Sequence, residues 1–265
     1  MKISQILYFI HKCNQSKIFI GAIYFITLIY FTLPSPIHAQ NLPFTPGEEL
    51  ILKLKWGFIP AGVAVLKVLP IEKMDGVEVY HFMMTAKSLP FVDLFYKIRE
   101  KIDAYTNLEV THSILYKKKQ IEGKVDRDVS VTFDLEAMIA QYHNKNEKRE
   151  PISIFPGTFD PLSAYYYLRS LDFETNKNIE RHITDGKKCV LGVVRVVKRE
   201  EIMVQGTRYD TFLLEPDLKH IGGVFEKSKK AKLQLWITSD NRHMLVKVKS
   251  KVMVGSFVAE LITNK

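Results

Sequence analysis

Asp160-Pro161-Leu162-Ser163-Ala164-Tyr165-Tyr166-Tyr167-Leu168-Arg169-Ser170-Leu171 is the one long helical stretch in a chain whose other runs alternate like strands. Asp160 offers a carboxylate to the free N–H groups of the first turn, and Pro161 suits the first helical position because its missing N–H has no partner there. Ala164, Tyr167, Leu168 and Leu171 recur on one face, and Arg169 suits the negative end of the helix dipole. The reading is a helix laid against a sheet, with strand patterns on both sides of it.

Before the helix, Leu50, Leu52, Leu54 and Trp56 alternate with Ile51, Lys53 and Lys55, and this period of two marks a strand with one face in and one face out. Strands are predicted over 50–56, 61–69, 77–86, 98–105, 113–121, 125–133 and 138–143, with Gly57, Pro60 and Met74-Asp75-Gly76 at turns. After the helix they are predicted over 179–184, 189–197, 208–215, 231–238, 244–251 and 256–262. No βαβ rhythm appears, which argues against a doubly wound nucleotide-binding sheet. Gly76 to Met84 and Gly206 to Leu214 share spacing, so two related halves, 40–156 and 172–265, are one reading; the likeness common to all hairpins is the other. The fold class is mainly β: a large curved antiparallel sheet, as a half-open barrel or two related half-sheets, packed on the 160–171 helix.

The first 39 residues read as a secretory signal. Lys2, Lys12 and Lys17 precede the apolar run Ile18–Leu33, and Pro34-Ser35-Pro36-Ile37-His38-Ala39 places the cut after Ala39. An uncleaved anchor is the alternative, since the run is long for a signal core. Cys13 lies ahead of the apolar core, where a lipid-accepting cysteine does not belong. Losing the three lysines and no acid lowers the formal charge from +9 to +6. A single cysteine, Cys189, then remains, read as a small apolar residue of a strand, so stability must come from an ordinary core within one exported domain, residues 40–265.

Chemistry is sparse. The chain has no Gly-x-Ser-x-Gly, His-Glu-x-x-His, Cys-x-x-Cys or phosphate-cradling glycine loop, and its histidines are dispersed, so no catalytic residue, metal or cofactor is expected. Basic runs at 117–119 and 227–232 lack regular aromatic interleaving, which argues against nucleic acid. More telling are two apolar loops. Lys87–Tyr96 is predicted as a short helical turn covering an end of the sheet, and Pro216–Lys227 places Ile221 and Phe225 beside Lys227, Lys229 and Lys230.

Gly47-Glu48-Glu49-Leu50, Trp56-Gly57, Ala61-Gly62, Asp160 to Arg169 and Leu235-Trp236-Ile237-Thr238-Ser239-Asp240, in that order, resemble the exported bacterial family known as domain of unknown function 3108. The resemblance covers nearly all of residues 40–265. It implies a β-rich exported domain and brings no catalytic set. One departure is that His243 follows Arg242 where the related turn is expected to carry proline.

The functional expectation is therefore a non-enzymatic periplasmic or envelope protein that binds a hydrophobic or amphiphilic ligand such as a lipid. Its candidate ligand-binding residues are Phe91, Leu94, Phe95, Tyr166, Ile221, Phe225, Lys227, Lys229 and Lys230. Apolar residues rimmed by cations suit an amphiphile with an anionic head, or peripheral contact with a membrane. The alternative is an envelope assembly or scaffold protein whose apolar loops dock on another protein.

Overall fold

Alternation becomes hydrogen bonding over most of the chain. A computed structural model describes residues 42–217, 232–251 and 256–264. The strands are β1 (Glu49–Trp56), β2 (Ile59–Val68), β3 (Glu72–Met74), β4 (Val77–Ser88), β5 (Ile98–Asn107), β6 (Ser113–Glu122), β7 (Val125–Asp134), β8 (Ile139–Asn144), β9 (Glu147–Lys148), β10 (Ile152–Ser153), β11 (Asn178–Thr184), β12 (Cys189–Val204), β13 (Thr207–Pro216), β14 (Lys232–Thr238), β15 (Leu245–Lys251) and β16 (Ser256–Asn264). Two helices are described, α1 (Pro90–Asp93) and α2 (Pro161–Arg169).

All the strands join one antiparallel sheet in the order β10-β8-β7-β6-β5-β4-β2-β1-β16-β15-β14-β13-β12-β11, with β3 on β4 and β9 on β8. The first strand pairs with the last. From that contact two arms curl away, and their far edges, β10 and β11, do not pair with each other. A strap crosses the gap instead. Ile152 and Ser153 pair with Ala140 and Ile139 of β8, while the Phe159 N–H donates to the His182 carbonyl at 2.9 Å and the Phe159 carbonyl accepts from Thr184 N at 2.9 Å. The sheet is thus a half-open barrel whose seam is bridged by the strap that leads into α2.

Helix α2 starts as its sequence dictates. Asp160 Oδ1 accepts from the N–H groups of Leu162 at 2.9 Å and Ser163 at 3.0 Å, and Ser113 Oγ donates to Oδ2 at 2.6 Å. Burial pushes the Asp160 carboxyl's pKa up, against these hydrogen bonds, which favour the charged form. The buried side differs from the expected Ala164–Tyr167–Leu168–Leu171 face: it comprises Leu162, Ser163, Tyr166, Leu168 and Arg169. The reason is the aromatic centre of the core. Tyr166 stacks on Phe82 with ring centroids 3.8 Å apart, and Phe44 meets both rings edge-on.

Arg169 is fully buried at the helix end. It donates to Glu48 through Nη1 at 2.5 Å and Nη2 at 2.8 Å, and to the Arg242 carbonyl at 2.9 Å. Two of the stretches that carry the family resemblance, residues 47–50 and 160–169, therefore meet here. His243 explains the departure from proline: its φ is +43°, which a proline ring fixed near −65° cannot adopt, and its Nδ1 donates to the Arg169 carbonyl at 2.7 Å.

Strand β12 runs to Val204, well past the expected end at Val197. The continuation Lys198-Arg199-Glu200-Glu201 carries charge on both faces, which hides the alternation. Its partners lie across and along the ribbon, with Arg199 on Asp210, Arg208 on Glu201 and Lys198 on Glu200, after a bulge between Val196 and Lys198.

Candidate functional site

One end of the half-barrel carries an apolar rim. The β1–β2 turn, the loop containing α1 and the β6–β7 turn meet there, since Leu89 N donates to the Ala61 carbonyl at 2.9 Å, Gly57 N to Ser256 at 2.9 Å and Gly123 N to Lys97 at 3.0 Å. Phe58 is 91% exposed, Leu94 79%, Phe95 78% and Phe91 60%. Trp56 stacks on Phe257 across the β1–β16 contact with centroids 6.4 Å apart. Large apolar side chains clustered in water mark interaction surfaces.

Phe91, Leu94 and Phe95 are thus brought together on this rim, with the Phe91 and Phe95 rings edge-to-face at 5.7 Å. The helical turn expected here exists, but its aromatic side chains face solvent instead of covering the sheet. Tyr166 is set apart from them, packed in the closed core with no exposure. Ile221, Phe225, Lys227, Lys229 and Lys230 lie outside the described residues, as does the N-terminal segment; the flanking Asp217 and Lys232 leave the sheet at the rim end, where Lys232 is opposite Lys251 and Lys251 is opposite Ser256. Trp56, Phe58 and Phe257 were not singled out by sequence. Their signal was available in Trp56-Gly57-Phe58, a glycine turn (φ +60°) flanked by two aromatic residues.

The rim loop is held by a polar clasp. Ser88 Oγ and both Arg99 η-nitrogens donate to the Asp93 carboxylate, and Ser88 Oγ also accepts from Ile98 N at 2.8 Å. Opposite Ser88 sits Gly62, where any Cβ would fall 2.4 Å from the Lys87 carbonyl, so only glycine lets β2 and β4 approach here. The Arg99 and Ser88 hydrogen bonds pull the Asp93 pKa down to about 2. A depressed carboxylate adds stability above its unfolded pKa of about 3.9 and loses it as pH falls toward the folded value. We therefore expect the loop to be clasped at neutral pH and released between about pH 4 and pH 2. Limited proteolysis at Phe91–Phe95 across that range checks it; cleavage independent of pH, or enhanced on raising pH, would contradict the assignment.

Behind the rim the inner wall stays partly open. Leu54, Ala259, Val248 and Leu235 follow one another across β1, β16, β15 and β14 in register and each is only partly buried. On the other arm the row is Ala64, Ala86, Glu100 and Gln120, with Met84 one step deeper. Glu100 meets Lys118 at 2.7 Å. The partly buried row is thus apolar on one arm and carries the Glu100–Lys118 pair on the other, with α2 and the stacked rings deeper in the core.

Two features lie on the outer wall. A groove of about 490 Å³ runs across β4 to β7, lined by Lys87, Arg99, Lys101, Lys119, Asp126 and Lys145 among others. Farther from the rim, His81 Nδ1 contacts Glu72 at 2.6 Å, its Nε2 contacts Asp103 at 2.9 Å, and its ring stacks on Tyr105 at 4.2 Å. These contacts tie β3, β4 and β5 together over the small outer cluster of Val79, Tyr105 and Leu115, a structural use of histidine that sequence spacing did not reveal.

One solved structure shares this architecture. The chain is similar to a β-barrel-like protein of domain of unknown function DUF1849 from Brucella abortus, with a TM-score of 0.51 and 10% identity over 82% of this chain and 96% of that one. At such identity the likeness is one of fold. A protein of Bacteroides fragilis with a YmcC-like fold aligns with a TM-score of 0.37 and 8% identity, over 86% and 99% of the two chains. No curated protein matches the sequence. The model of the family described as protein of unknown function DUF3108 matches residues 52–262, from the second half of β1 through nearly all of β16, and the chain belongs to that family.

Proposed function

We propose that this protein is a non-enzymatic envelope binding protein for a hydrophobic or amphiphilic ligand such as a lipid. The observation that carries the reading is the exposed apolar rim of Phe58, Phe91, Leu94 and Phe95 standing at the mouth of a partly open apolar wall. A ligand chain would lie along Leu54, Ala259, Val248 and Leu235, where transfer from water is favourable by about 25 cal/mol per Å² of apolar surface buried. The Glu100–Lys118 pair offers a polar head both a donor and an acceptor. Export is part of the proposal and rests on the basic, apolar and small-residue order of the first 39 residues.

Native mass spectrometry of the protein purified from its own cell envelope tests this, with an adduct of lipid mass as the expected result. Absence of any adduct, together with no rise in melting temperature on adding lipids, would overturn it. A photo-crosslinker at Phe91 then separates the alternative: reproducible capture of one envelope protein and no lipid replaces a carrier by a scaffold.

A further inference from the structure

We infer that the rim is a docking surface for an anionic lipid bilayer. This goes beyond ligand binding, since a docked rim needs no ligand along the inner wall. Two independent features support it. The first is the apolar tip: Phe58 and the α1 loop project from neighbouring turns, tied through Leu89 N and the Ala61 carbonyl, and the amphipathic Trp56 and Tyr96 flank them about half exposed. Aromatic side chains with a polar handle favour the headgroup boundary of a bilayer.

The second feature is charge set just behind the tip. Lys87, Lys97 and Lys124 are exposed and form no ion pair among the described residues. Of the acids nearest them, Asp93 is matched by Arg99, Asp126 by Lys145 and Asp128 by Lys119, while Glu122 has no cationic partner among the described residues and accepts from Tyr96 at 3.1 Å and Gln120 at 2.8 Å, so the three lysines outnumber the one unmatched carboxylate. The surplus on this side of the rim is therefore positive. Successive strand residues rise about 3.3 Å, so Lys87 lies one step behind Ser88 and the loop, at the depth of headgroups when the phenylalanines enter the acyl boundary. A protein partner would also be met by apolar side chains, but free cations ringing interfacial aromatics complement an anionic leaflet.

Trp56 is the built-in reporter. The full chain, purified from the envelope of cells that express it, is added to phosphatidylcholine vesicles with or without phosphatidylglycerol, each carrying a lipid nitroxide-labelled near the headgroup; Trp56→Phe subtracts the signal of Trp236. Quenching of Trp56 is expected with phosphatidylglycerol and lost on raising salt, as the screening length falls from about 10 Å at 0.1 M to about 3 Å at 1 M. A lysine near an anionic leaflet contributes about fivefold, so Lys87→Glu with Lys97→Glu and Lys124→Glu weakens docking at least about a hundredfold. Phe58→Ser with Phe91→Ser and Phe95→Ser removes quenching even at low salt. No quenching of Trp56 overturns the inference, and so does equal quenching on neutral vesicles. The salt titration needs no substitution, so misfolding of a variant cannot rescue the idea. Lipid adducts are read separately, so the carrier reading and this one fail in different experiments.

Discussion

Arg169→Met is expected to lower the stability of the folded protein by about 3–5 kcal/mol, the cost of leaving one member of a buried ion pair without its partner. Arg169 has no exposure and the Glu48 side chain only 12%, so the carboxylate left behind cannot recover full hydration. The Arg242 carbonyl would lose a donor at the same time. Glu48→Gln should be costly in its own right, because the guanidinium would then sit uncompensated against the rings of Phe44 and Tyr166, 5.3 and 5.5 Å away. The double variant Arg169→Met with Glu48→Leu should recover much of the loss, since an apolar pair of similar volume is often no worse than a buried ion pair. Urea unfolding of the parent protein, Arg169→Met, Glu48→Leu and the double variant measures the coupling. A cost below about 1 kcal/mol for Arg169→Met would mean that water reaches Glu48 and that the pair is no keystone.

Tyr166 comes next in size. Tyr166→Ala should cost about 3–5 kcal/mol, because it removes the ring stacked on Phe82 and leaves a cavity among side chains that the sheet holds in place. Tyr166→Phe should be neutral or stabilising. The Tyr166 hydroxyl is buried and has no hydrogen-bond partner among the described residues, and an unsatisfied buried hydroxyl costs about 1–3 kcal/mol. Thermal melts of both variants give the answer. A clear loss on Tyr166→Phe would point to a polar partner for this hydroxyl. That outcome would also reopen the question of what this tyrosine faces.

These two residues show what a sequence can and cannot disclose here. The strands were legible because one face of each is wet and one dry, and period two survives in the residues themselves. Asp160-Pro161 announced the start of α2 for local reasons, and the cap has the expected partners. Arg169 was read by the same local logic as a cation near a helix end, and its burial was missed because Glu48 lies 121 residues away. The buried face of α2 was missed for a related reason: Tyr166 faces inward because of Phe44 and Phe82, which no helical period contains. At the candidate site, Phe91, Leu94 and Phe95 stood out as an apolar run in a loop. Trp56, Phe58 and Phe257 did not, because each looks like an ordinary strand or turn residue until β1 and β16 lie side by side.

That last pairing has a consequence in time. Leu50 is opposite Asn264 and Trp56 opposite Phe257, so the first strand to be made needs the last one before its second edge is satisfied. Contacts this distant in sequence are slow to form, and an open strand edge invites pairing with other chains while it waits. Lys53 and Lys55 lie on that waiting edge, where like charges on every copy discourage premature partners. Glu260 arrives with the final strand, opposite Lys53 and 2.7 Å from Lys55, so the acid that matches these lysines comes only with the correct strand.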